Sequence, residues 1–104
     1  MEAYKQFILT GVYFSPDVAH IKSVDNLTFV VKIYDSMKDE TNLKLCINKI
    51  IKVFSPLEEQ LRDSILNYTI PELKKITTEN LCPWLWDKLS PELPTMTKLV
   101  VQIR

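Results

Sequence analysis

One glycine, Gly11, serves all 104 residues, against six prolines. A backbone cradle for phosphate needs several glycines at fixed spacing. Neither the GxGxxG loop of a dinucleotide-binding fold nor the GxxxxGK loop of a nucleoside triphosphatase can be written in this chain. Nucleotide binding of either kind is excluded on residue supply alone. The fold must come from strands and helices closed by proline-rich and polar connectors.

The periodicity supplies those elements. Tyr4–Phe14 (YKQFILTGVYF) alternates loosely and carries aromatic and β-branched residues, so it reads as a strand with Gly11 as a bulge. Leu27–Tyr34 (LTFVVKIY) is almost continuously apolar and reads as a strand covered on both faces. Asp39–Phe54 places Leu43, Cys46, Ile47, Ile50, Ile51 and Phe54 at helical spacing, with Asp39, Glu40 and Thr41 available as caps. Ser55-Pro56-Leu57-Glu58 has the form of a capping box, which predicts a break and a second short helix to about Leu66. Thr77–Leu89 predicts a further helix with Leu81, Trp84, Leu85 and Leu89 on one face and a first turn distorted by Pro83. Thr97–Arg104 closes the chain as a strand with Leu99, Val101 and Ile103 together. The order β-β-α-(α)-α-β implies one α+β domain over residues 1–104, with a mostly antiparallel sheet and its helices packed on one face.

Charge and cysteine content narrow the function. Thirteen basic residues balance thirteen acidic ones with no block of either sign, so neither a nucleic acid nor an anionic membrane is an expected partner. No basic-then-apolar leader and no long apolar run occurs, and two cysteines without a CxxC spacing suit a reducing compartment. A cytoplasmic location is the expectation. Cys46 reads as a small hydrophobe on a helix face. The only histidine, His20, lies in the loop between the first two strands, a usual place for functional residues.

Several segments together resemble a known family. Thr77–Asn80 (TTEN), Trp84-Leu85-Trp86-Asp87, Leu93-Pro94 and the strand Leu99–Ile103 are similar to the C-terminal half of 6-pyruvoyl-tetrahydropterin synthases and the related 6-carboxytetrahydropterin synthases. Pro56-Leu57-Glu58-Glu59 lines up with the family's P-L-D-H, and Asp17-Val18-Ala19-His20 with its D-A-A-H. The resemblance implies the tunnelling fold, in which subunits join as trimers into a twelve-stranded barrel and two trimers often stack. Active sites then form at subunit boundaries. It therefore implies a homotrimer or homohexamer, with a pterin-like molecule as ligand.

The departures from the family pattern bear on chemistry. The family holds catalytic zinc with three histidines; here His20 stands alone, and Ser23 and Asp25 fall on the H-x-H pair. The loop that carries the family's cysteine is shortened and has none. Glu58-Glu59 falls on the acid–base Asp-His pair, and Ile103 on the glutamate that anchors the pterin. Arg104 falls before the position of the family's fourth strand. A catalytic zinc needs three protein ligands and an open position. His20 with Asp25 as second ligand is at best a vestige of such a site, so no cofactor is expected unless catalysis survives, when it would be zinc.

The same residues have plainer readings. Glu59 could act as a base only in a desolvated pocket, and otherwise is a solvated helix residue near an N-terminus. Thr77, Thr78 and Glu79 could contact a pterin edge, yet threonine is also a good helix cap. Trp84 and Trp86 read as core or subunit-contact residues. Three functions stay open: an inactive, oligomeric binding or scaffold member of the family; an active lyase using His20, carboxylates and Glu59; and an unrelated α+β interaction domain.

Overall fold

The computed structural model describes residues 1–14, 25–37, 40–70, 72–73 and 77–104. Two long strands, β1 (Glu2–Phe14) and β2 (Asp25–Ser36), form an antiparallel ladder from Glu2 opposite Ser36 to Phe14 opposite Asp25. The closing strand β4 (Met96–Ile103) adds antiparallel to β2, pairing Phe29 with Ile103 and Ile33 with Leu99. A two-residue strand β3 (Ser64–Ile65) pairs in parallel with Val12–Tyr13, which gives the order β3-β1-β2-β4. Period 2 sorts the side chains. Leu9, Val12, Phe29, Val31 and Ile33 are buried under the helices, while Tyr4 and Ile8 on the other face are exposed. The expected burial of β2 on both faces does not hold: its alternate residues Thr28, Val30, Lys32 and Tyr34 are half-buried.

Gly11 sits at the register shift between Leu9 and Val12 with φ +68, the expected bulge. Glycine is favoured there by its backbone, and a larger residue would also press on the Asp63 side chain. The backbone is left-handed, and a Cβ would lie 3.0 Å from Asp63 Oδ1. The Asp63 N–H donates to the Gly11 carbonyl at 2.8 Å, tying the bulge to the turn after the first helix.

That helix, α1 (Leu43–Leu61), corrects two expectations. It begins after a 3-10 turn at Glu40–Asn42, and Asn42 makes no side-chain cap. The capping box at Ser55 does not form: α1 runs unbroken through Pro56. Ser55 Oγ instead donates back to the Ile51 carbonyl at 2.8 Å. Ile50, Phe54, Leu57 and Leu61 continue one face without a change of phase. Ile50, Phe54 and Leu61 are fully buried on it, and that shared burial outweighs a proline penalty of about 3 kcal/mol. Cys46 is half-buried rather than a core residue, and Leu43 and Ile51 are exposed.

A short α2 (Leu66–Thr69) comes after β3, and α3 (Thr78–Leu89) follows as the 3.6-residue period predicts. Leu81, Trp84, Leu85 and Leu89 are buried, completing the core with Leu66, Leu73 and Leu93. Pro83 is accommodated inside α3. Among the described residues, Asp35 is the buried charged side chain, and it accepts a 2.6 Å hydrogen bond from Thr95 Oγ1. None of the described helices is long and apolar enough to cross a membrane.

Candidate functional site

The connections decide which residues share an end of the molecule. β1 ends at Phe14 and β2 begins at Asp25, the described residues on either side of the segment 15–24 that contains His20. β4 runs antiparallel to β2 and delivers Ile103 towards the same end. The chain reverses between α3 and β4, and Cys82 Sγ lies 3.8 Å from the Leu99 carbonyl oxygen, so α3 runs antiparallel to β4. Its N-terminus, Thr77–Glu79, therefore lies towards Ile103. α1 ends beside Gly11, through the Asp63 N–H to Gly11 bond, and brings Glu58 and Glu59 to this end as well. Topology thus gathers the candidates from four distant stretches of sequence at one end of the sheet.

At that end each side chain has a describable state. Thr77 is half-buried at the N-cap of α3, with φ −120 and ψ 162, and its Oγ1 accepts from the Asn80 N–H at 3.2 Å. This hydroxyl does the capping work that its sequence position suggests. Thr78 is half-buried and Glu79 is exposed in the first turn, where a carboxylate is favoured by the helix dipole. Glu58 Oε1 lies 2.9 Å from Arg62 Nη2. Glu59 is exposed. Both glutamates stand in the last two turns of α1, not in the first turn of a separate helix. Ile103 is 54% exposed at the sheet edge. His20 and Ser23 lie outside the described residues, as does the side chain of Asp25, whose backbone opens β2.

A model of the 6-pyruvoyl tetrahydropterin synthase family matches residues 25–104. The chain belongs to that family. The matched segment takes in the β2–β4 pairing, α1 and α3, so the α+β architecture described above is that of a tunnelling-fold 6-pyruvoyl tetrahydropterin synthase domain. The reading as an unrelated α+β module is set aside. The match begins at Asp25, so the likeness of Asp17–His20 to the family's first zinc-ligand motif lies upstream of it.

The zinc of this family is a poor fit to the donors present. On the resemblance, its three imidazoles fall on His20, Ser23 and Asp25, which offer one imidazole, one hydroxyl and one carboxylate; His20 and Ser23 lie upstream of the matched segment. A serine hydroxyl is a weak zinc ligand, and two good donors do not fix a tetrahedral site with one open position.

Other features were less visible in sequence. Trp84 is buried and its Nε1 donates to Glu72 Oε2 at 3.2 Å, while Trp86 is 38% exposed. Lys88 Nζ sits 5.6 Å from the Trp84 ring centroid. Burial pushes the Cys82 thiol above its ordinary range. Lys49, Lys52 and Lys88 gather on one cleft of the helical layer. The spacing of Lys49, Lys52 and Pro56 along α1 was the signal for that cleft.

Proposed function

We propose that this chain is a diverged, non-catalytic member of the 6-pyruvoyl tetrahydropterin synthase family. In this reading it works as a homo-oligomeric binding or scaffold protein and keeps a contact surface for a pterin-like ring at Thr77 and Thr78. The observation that carries the reading is the state of the acid–base position. In the single subunit Glu58 is engaged by Arg62 at 2.9 Å and Glu59 is exposed. A carboxylate replaces a histidine as a near-neutral base only where it is desolvated. The donor set at the zinc positions supports the same conclusion. Replacement of the anchoring glutamate by Ile103 also removes the charged partner of an aminopyrimidine edge, leaving ligand donors unpaired at a cost of about 1–3 kcal/mol.

Oligomerisation rests on the edge and the bare face of the sheet. β4 is the terminal strand of the sheet order, and Ile103 on it is exposed. An open strand of this kind calls for a partner. A homotrimer, or a homohexamer of two stacked trimers, would pair it.

The test is turnover of dihydroneopterin triphosphate with zinc added, run beside His20→Ala. No turnover in either protein is expected. Turnover lost in His20→Ala would replace this reading with that of an active lyase using His20, carboxylates and Glu59. Neopterin titration followed by tryptophan fluorescence tests the ring contact, and an unchanged signal at millimolar neopterin would remove it.

A further inference from the structure

The helical layer carries a cleft of about 510 Å³ between α1 and the C-terminal end of α3. Its lining follows one face of α1. Lys49 is followed at helical spacing by Lys52 and Val53, then by Pro56 and Leu57. Lys88 closes it from α3, and Glu92 stands beyond. The lining is therefore apolar at Val53, Pro56 and Leu57, and it also holds three lysines against one glutamate. In a chain whose charges balance overall, that is a local cationic excess.

Two details make this more than three surface lysines. Lys88 is held in place, since its Nζ lies 5.6 Å from the centroid of the buried Trp84 ring. Pro56 lies in the lining and has no N–H of its own, so it adds apolar surface beside the lysines. The volume falls within the range of small-molecule sites, about 300–1,000 Å³, and is short for a docked helix.

We propose that this cleft binds a small organic anion with an apolar body. The anionic head, a carboxylate or a phosphate monoester, takes charge-assisted hydrogen bonds from Lys49, Lys52 and Lys88. The apolar body lies on Val53, Pro56 and Leu57. Long lysine stems add to the apolar wall while their ammonium groups reach the head. The inference is independent of whether the family's chemistry survives, because none of these residues occupies a family catalytic position.

The experiment titrates the full chain with octanoate, octyl phosphate, octylamine and inorganic phosphate. Binding is followed by calorimetry and by amide chemical shifts. Octanoate, octyl phosphate or both are expected to bind one per chain, with shifts centred on residues 49–57 and 88–92; their ratio identifies the preferred head. The triple variant Lys49→Gln, Lys52→Gln, Lys88→Gln changes only exposed side chains. It should bind the octyl anions about tenfold more weakly or worse, each exposed contact being modest alone. Octylamine should not bind there. Equal affinity in the triple variant would overturn the proposal. So would inorganic phosphate binding as tightly as octyl phosphate, or no binding of either octyl anion at millimolar concentration. An acidic amphipathic peptide that outcompetes both at the same residues would also overturn it, in favour of a protein partner.

Discussion

The two faces of the sheet are built from neighbouring residues and meet opposite fates. On the helix side Leu9, Phe29, Val31 and Ile33 are fully buried. On the other side Tyr4 is 45% exposed and Ile8 is 42% exposed, although the residues next to each along β1 are no more apolar in kind. Among the described residues no second layer covers that face, and cross-strand contacts order it. Tyr4 stacks on Tyr34 with centroids 5.0 Å apart, and Lys98 Nζ lies 5.4 Å from the Tyr34 ring centroid. Helix cover, more than strand composition, separates core from surface here. A sheet with one finished face and one half-apolar face has a physical reason to close on copies of itself.

The largest effect should come from cutting one residue on each face. Phe29→Ala removes a fully buried ring and is expected to cost about 3–5 kcal/mol in urea unfolding. Ile8→Ala removes a side chain that is 42% exposed and should cost under about 1 kcal/mol. Comparable losses at the two positions would show that Ile8 is packed in the assembled protein, and would sharpen the case for closure over the bare face.

A second cut tests the polar anchor of the covered face. Asp35 is 3% exposed and takes its bond from Thr95 Oγ1 at 2.6 Å, joining the end of β2 to the turn before β4. Thr95→Val keeps the shape and strands the carboxylate, at an expected cost of about 1–3 kcal/mol by thermal or urea unfolding. A neutral outcome would mean that water replaces the threonine.

A smaller effect separates cap from ligand contact at Thr77. Thr77→Ala should lower stability by about 1 kcal/mol, because the Asn80 N–H loses its side-chain acceptor and keeps only the Thr77 carbonyl at 3.2 Å, and Thr77→Ser should restore most of it. If the hydroxyl also meets a pterin-like ring, the alanine variant will weaken neopterin binding by more than its stability loss explains. Equal neopterin titration curves for Thr77→Ala and the parent would confine Thr77 to capping.

These elements were not equally legible. β1, β2, α3 and β4 follow from period-2 and 3.6-residue patterns that tertiary packing reinforces, and Gly11 announced its bulge as the lone glycine within a strand. The break at Ser55 misled because a capping box is a local signal. A continuous apolar face from Ile50 to Leu61 is a longer-range one, and it prevailed. β3 could not be read, since a two-residue parallel pair depends on where α1 ends. At the site end, Thr77, Glu58, Glu59 and Ile103 were found through resemblance, whereas their convergence came from chain direction alone. The engagement of Glu58 by Arg62 has a sequence signal, the i,i+4 spacing, but the burial that would matter for Glu59 has none.

The smallest change in the folded subunit should come from Ile103→Lys, and it bears most directly on what covers the unfinished sheet. Ile103 is 54% exposed at the end of β4 and pairs only with Phe29 across the β2–β4 ladder. Lysine there should alter subunit stability by no more than about 0.5 kcal/mol, as for an ordinary surface substitution. If β4 joins a neighbouring strand in a trimer, the same lysine enters an interface next to its symmetry-related contacts, where an unpaired charge is strongly disfavoured. Light scattering should then show the parent as a trimer or hexamer and the variant shifted to monomer, with unchanged circular dichroism. A parent that is monomeric at micromolar concentration would remove the assembly, and an oligomer that tolerates the lysine would move the contact from the β4 edge to the face bearing Tyr4 and Ile8.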